Sequence, residues 1–142
     1  MNSEIFNILM ENANKSLENN DVPVGAVVVK DGKVLAIGYN TREKNQNVLG
    51  HAEINALLEA QKVINNWNLS GCDLYVTLAP CLMCLEIIKQ SRIDNVYYLL
   101  DKPESKREFY KTKLQKINEV NYENKYSEIL SNFFKKLREK TK

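Results

Sequence analysis

Cysteine is scarce and odd in number: Cys72, Cys81 and Cys84 are the only three among 142 residues. That excludes a disulfide-stapled scaffold and fits a reducing cytoplasm, where a Cys-x-x-Cys pair binds metal or does redox work. Long apolar runs are also absent. No stretch approaches the roughly 18 apolar residues of a membrane span, so no membrane association is expected. The opening residues, Met1-Asn2-Ser3-Glu4-Ile5, lack a basic segment followed by an apolar one, so no secretory signal is expected. There is no internal repeat and no linker, and 142 residues suit one domain, 1–142, with a single core. Charge is nearly balanced at +2 but unevenly placed. Lys125, Lys135, Lys136, Arg138, Lys140 and Lys142 outweigh Glu128 and Glu139 near the C-terminus, and the rest of the chain is slightly acidic. Such a cluster is either a solvated helix face or a surface that meets phosphates.

What is present alternates between strand and helix. Residues 3–19 read as an amphipathic helix, with Phe6, Leu9, Met10, Ala13 and Leu17 at helical spacing. Val22 to Val29 is an apolar β-branched run that reads as a strand buried on both faces. Asp31-Gly32 is a two-residue hairpin turn, and Lys33 to Asn40 returns as the second strand. A polar loop over 41–50 leads to a helix from about His51 to Val63. Cys72 to Leu78 is a third strand, Pro80 to Ser91 a helix and Asn95 to Leu100 a fourth strand. This βαβ unit predicts parallel strands and a right-handed crossover. A helix near 105–117 and a short fifth strand near 118–122 are expected next. Tyr126, Ile129, Leu130, Phe133, Phe134 and Leu137 form the apolar stripe of a final helix.

The chemistry gathers around Pro80-Cys81-Leu82-Met83-Cys84. Cysteines three apart lie on one helix face, and proline suits the boundary where a helix begins. A helix N-terminus favours the thiolate. Two thiolates make half of a tetrahedral zinc site, and His51, the sole histidine, opens the preceding helix. Histidine alone is a weak signal. His51-Ala52-Glu53 followed one βα unit later by Pro-Cys-x-x-Cys is far more specific. A thioredoxin-like redox pair would leave His51 and Glu53 without a task. A structural zinc site normally closes with four protein ligands, and Cys72, at the far end of its strand about 20 Å away, is better read as a core residue. Three protein ligands leave a position for water, whose pKa zinc lowers toward about 7. Glu53 would take the water proton and pass it to the substrate. Taken alone, Glu53 also suits a helix first turn.

These residues resemble the zinc-dependent nucleoside and nucleotide deaminases, and among them the bacterial tRNA adenosine deaminase branch. The likeness rests on Val22-Pro23-Val24-Gly25-Ala26-Val27, Gly38-Tyr39-Asn40, His51-Ala52-Glu53-Ile54, Leu74-Tyr75-Val76-Thr77-Leu78, Pro80-Cys81-Leu82-Met83-Cys84, Ser91-Arg92-Ile93 and Ser131-Asn132-Phe133-Phe134. It implies a three-layer α/β/α cytidine-deaminase-like fold with a mixed five-stranded sheet. It also implies one zinc ion held by His51, Cys81 and Cys84, with Glu53 as proton shuttle. By the same resemblance Asn40 would hydrogen-bond the flipped base, Val24 would line its pocket, and the Ala52 N–H would face the base. The implied reaction is hydrolytic deamination of adenosine to inosine at the wobble position (34) of tRNA, by a cytoplasmic homodimer that binds the anticodon loop. The alternatives are a deaminase of a free cytosine or guanine compound, and a zinc-stabilised RNA-binding module without catalysis. Three departures from the family pattern bear on substrate choice. Ala79 stands where Glu is usual, Val48-Leu49-Gly50 replaces Pro-Thr-Ala, and Lys102-Pro103-Glu104-Ser105-Lys106-Arg107 replaces a Gly-Ala-rich loop.

Overall fold

The computed structural model describes residues 1–101 and 116–140. The chain forms two compact units, Met1–Lys106 and Arg107–Lys142.

The first unit opens with helix α1 (Ser3–Glu18). Asn2 caps it, its Oδ1 accepting the Ile5 N–H at 2.8 Å, and Glu4 adds a charge suited to the first turn. The buried stripe is Ile5, Leu9, Asn12, Ala13 and Ser16. It is rotated from the expected one: Phe6, Met10 and Leu17 are exposed. The cause is close packing on strand β1 (Gly25–Lys30), where a Cβ on Gly25 would stand 2.2 Å from the Leu9 carbonyl oxygen. Small side chains at Ala13 and Ser16 suit that approach.

Strand β1 pairs antiparallel with β2 (Lys33–Tyr39) through Asp31 and Gly32, both at positive φ (51° and 73°). β1 is also antiparallel to β3 (Cys72–Leu78), and β3 is parallel to β4 (Asn95–Leu100). The sheet order is β2-β1-β3-β4. Strand periodicity of two divides β1 between two cores. Val27 and Val29 pack with Ile5 and Leu9 under α1. Ala26 and Val28 pack on the other face, under helix α3 (Ala52–Ile64) and helix α4 (Leu82–Gln90). Ala52, Ala56 and Ala60 recur every four residues and have no exposed surface. They ride over Gly38, where a Cβ would lie 2.3 Å from the Ala52 oxygen. The start of α3 is thereby pressed onto the end of β2. A short helix, α2 (Arg42–Asn45), occupies part of the expected 41–50 loop.

The second unit contributes helix α5 (Val120–Lys140). The expected strand near 118–122 is not formed: residues 116–119 are irregular and Val120 begins the helix. The reason is period. Tyr122 extends the Tyr126, Ile129/Leu130, Phe133/Phe134, Leu137 stripe by one more turn, and the Glu123 N–H already bonds the Glu119 carbonyl at 3.0 Å. Among the described residues the mixed sheet therefore has four strands, not five. The helix expected near 105–117 and the altered loop after Asp101 lie largely outside the described residues. No described helix is long and apolar enough to cross a membrane.

Candidate active site

Two helix starts meet at the pocket end of β3. His51 is the N-cap residue of α3 and Cys81 that of α4, both with extended backbones (φ −89°, ψ 144° and φ −72°, ψ 170°). The Asn55 and Leu85 amides return to their carbonyls at 3.0 and 2.9 Å, which closes the first turns. Pro80 stands just before the cap, where its missing N–H costs nothing. Cys84 follows one turn inside α4 and has no exposed surface.

The side chains converge. His51 Nδ1 lies 3.8 Å from Cys81 Sγ and 3.4 Å from Cys84 Sγ. The three ligand atoms all fall within 4.8 Å of one another. Bond lengths of about 2.1 Å to nitrogen and 2.3 Å to sulfur in a tetrahedron set N and S about 3.6 Å apart, so this donor set fits a zinc-sized ion. Cys72 is not among them; it is buried at the opposite end of β3.

Glu53 is 4% exposed and borders the same cavity. Burial pushes the Cys84 thiol up, and the neighbouring Glu53 carboxylate and Cys81 push it further. Desolvation and the nearby carboxylate thus oppose the thiolate that a helix N-terminus favours. A metal ion held there would supply compensating positive charge.

The cavity measures about 290 Å³, and Val24, Asn40, His51, Glu53, Ala79 and Cys81 are among its walls. Asn40 is fixed at both ends. Its Oδ1 accepts the Ala52 N–H at 2.8 Å and its Nδ2 donates to the Val22 carbonyl at 2.8 Å. These partners settle which amide atom is which. Ala52 itself is fully buried and does not border the cavity. Its N–H bonds the Asn40 side chain, which links the start of α3 to that wall of the cavity. Of the departures from the family pattern, Ala79 and Gly50 border the cavity, and Val48 and Leu49 are exposed. A Cβ on Gly50 would stand 2.6 Å from the Arg42 nitrogen, so glycine is needed for the chain to pass there.

Two supporting residues carry no motif. Asp21 is 6% exposed and its carboxylate accepts the Glu43 N–H at 2.8 Å and the Lys44 N–H at 3.5 Å. It caps α2 and holds that wall of the cavity. Asn55 donates to the Tyr39 carbonyl at 2.8 Å and the Thr41 hydroxyl at 2.9 Å, tying α3 to the end of β2. Neither Asp21 nor Asn55 falls in any of the motifs quoted above. Their partners lie 22–23 and 14–16 positions away, and no local pattern marks them.

The profile of the MafB19-like deaminase family matches residues 1–138. The chain belongs to that family. As a deaminase it is an enzyme, and its relatives narrow the chemistry. It is 37% identical to a tRNA-specific adenosine deaminase of Aquifex aeolicus (strain VF5), with 97% of each chain covered. Among solved structures, the deaminase resembles one from studies of A-to-I editing by tRNA:A34 deaminases at the wobble position of transfer RNA. The TM-score is 0.70 at 36% identity, covering 72% of this chain and 75% of that one. It also resembles guanine deaminase from Bacillus subtilis, with a TM-score of 0.66 at 30% identity, covering 81% and 88%.

Proposed function

We propose that this deaminase converts adenosine to inosine by hydrolysis at the wobble position (34) of tRNA. The observation that carries the reading is His51, Cys81 and Cys84 clustered within 4.8 Å beside a buried carboxylate, at the wall of a base-sized cavity. The likeness to tRNA adenosine deaminases selects the substrate.

His51 Nδ1 and the two sulfurs would hold one zinc ion, which when bound lowers the pKa of a water toward about 7. Glu53 would take one proton from the attacking water and place it on the purine ring nitrogen, then carry the second, from the added hydroxyl, to the departing amine. The water oxygen joins the carbon that bore the amino group, and ammonia leaves. Asn40 keeps one Nδ2 N–H on Val22 and offers its second to the base. Val24 supplies an apolar wall. A single-stranded anticodon loop suits this geometry, because its bases can be splayed out of the stack. Lys135, Lys136, Arg138 and Lys140 on α5 would meet phosphates, which makes binding salt-dependent.

The same reading takes 1–142 as one cytoplasmic deaminase domain acting as a homodimer. Leu82 (82% exposed), Val48 and Leu49 leave apolar surface uncovered around the site, which supports an assembly. A second reading, deamination of a free base, is favoured by the likeness to guanine deaminase. One experiment separates them. The zinc-loaded protein is offered a tRNA with adenosine at position 34 beside free adenosine, cytidine, deoxycytidylate and guanine, and products are scored by mass. Inosine in the tRNA alone is expected; turnover of guanine with the tRNA untouched transfers the site to the second reading.

A further inference from the structure

We propose that Ser16 is a positioning residue of the deamination site, although it lies on α1 and bears no motif. The β1–β2 ladder ends at the pair Gly25 and Tyr39. The next two residues outward are Val24 and Asn40, both cavity walls. They do not continue the ladder. The Ser16 side chain sits between them, accepting the Asn40 N–H at 3.0 Å and lying 3.1 Å from the Val24 carbonyl oxygen.

A hydroxyl has one proton to give. The other acceptor within reach is the Asn12 carbonyl at 3.5 Å, so the nearer Val24 carbonyl takes it. Ser16 has no exposed surface, which leaves bulk water no access to replace the hydroxyl. One oxygen thus takes the place of a strand–strand bond and sets the gap between the two segments where the cavity begins.

The link continues inward. The Asn40 backbone is held by Ser16, the Asn40 side chain by Ala52, and Ala52 stands between His51 and Glu53. Asp21 reinforces the same corner, since its N–H bonds the Ser16 carbonyl at 3.0 Å while its carboxylate caps α2. Without the Ser16 hydroxyl, either a buried carbonyl and amide lose their partner or the strand ends close on each other. Both outcomes alter the wall against which the base lies and leave the metal ligands in place.

The inference rests on the proposed deamination, and its test is Ser16→Ala in the full-length, zinc-loaded protein. Three quantities are measured: metal per chain, KM and kcat on the position-34 adenosine tRNA, and amide exchange at Asn40 and Ala52. The expected result is unchanged metal content, faster exchange at Asn40, and kcat/KM lower by about 10–100-fold, carried mainly by KM. An unchanged KM overturns the inference. So does a raised KM with unaltered exchange at Asn40, because the effect then does not run through the bridge. Loss of metal also overturns it, since the serine would then serve the general fold. If the wild type spares the tRNA and turns over guanine, the functional reading fails separately. The same quantities, read with guanine, then decide the role of Ser16.

Discussion

Helices α1 and α3 cover opposite faces of one sheet, and they do so by different means. α3 lies on β1 and β2 through Ala52, Ala56 and Ala60, with Gly38 beneath, so its position is set by close apolar contact. α1 also approaches its strand closely, at Gly25, but it buries Asn12 and Ser16 toward its end, where hydrogen bonds are added to the packing. The difference divides the labour at the site. Apolar packing holds the helix starts that bring His51, Cys81 and Cys84 together. Polar contacts from α1 and from Asp21 hold the backbone that shapes the cavity. Reactivity and substrate fit should therefore fail separately.

The largest effect should come from the metal cluster. Cys84→Ser is expected to lower zinc content well below one per chain and to reduce turnover to background, because catalytic zinc needs all three protein ligands. Cys72→Ala should leave zinc content unchanged, since that buried thiol lies outside the cluster. Metal analysis of the two purified variants checks both.

Next comes the packing that supports the cluster. Gly38→Ala forces a Cβ to within 2.3 Å of the Ala52 oxygen and 2.6 Å of the Ala56 nitrogen, both backbone atoms that cannot step aside. A cost of about 1–3 kcal/mol in unfolding free energy is expected. Denaturant unfolding measures it. An unchanged midpoint would show that α3 is not pinned by Gly38.

The smallest effect belongs to the polar wall. Asp21→Ala should cost about 0.5–2 kcal/mol as a lost helix cap. It should also raise KM with zinc content retained. An equal fall in zinc content would erase the distinction between the two helices.

The division also explains what the sequence disclosed. The convergence of His51, Cys81 and Cys84, with Glu53 nearby, was legible because metal chemistry demands particular side chains at particular spacings. The first four strands were legible too, from β-branched runs and the Asp31-Gly32 turn. The buried face of α1 was misjudged because Phe6 and Met10 look more apolar than Asn12 and Ser16. Close approach to Gly25, not hydrophobicity, chose the face. The strand near 118–122 failed because Tyr122 belongs to the period of the following helix. Asp21, Asn55 and Ser16 stayed silent because the partners that matter are brought near only by the completed fold.

Glu53 is where the two halves meet, being anchored on the packed helix yet bordering the cavity. The most direct test of the account is Glu53→Gln, with zinc content and deamination of the position-34 adenosine measured on the same sample. The prediction is one zinc per chain, intact tRNA binding, and turnover lower by about 10²–10⁴-fold, as for loss of a proton-transfer group. Turnover equal to wild type would contradict the assignment of Glu53. Intact tRNA binding without turnover in either protein would mark a zinc-stabilised RNA-binding module and contradict hydrolysis itself.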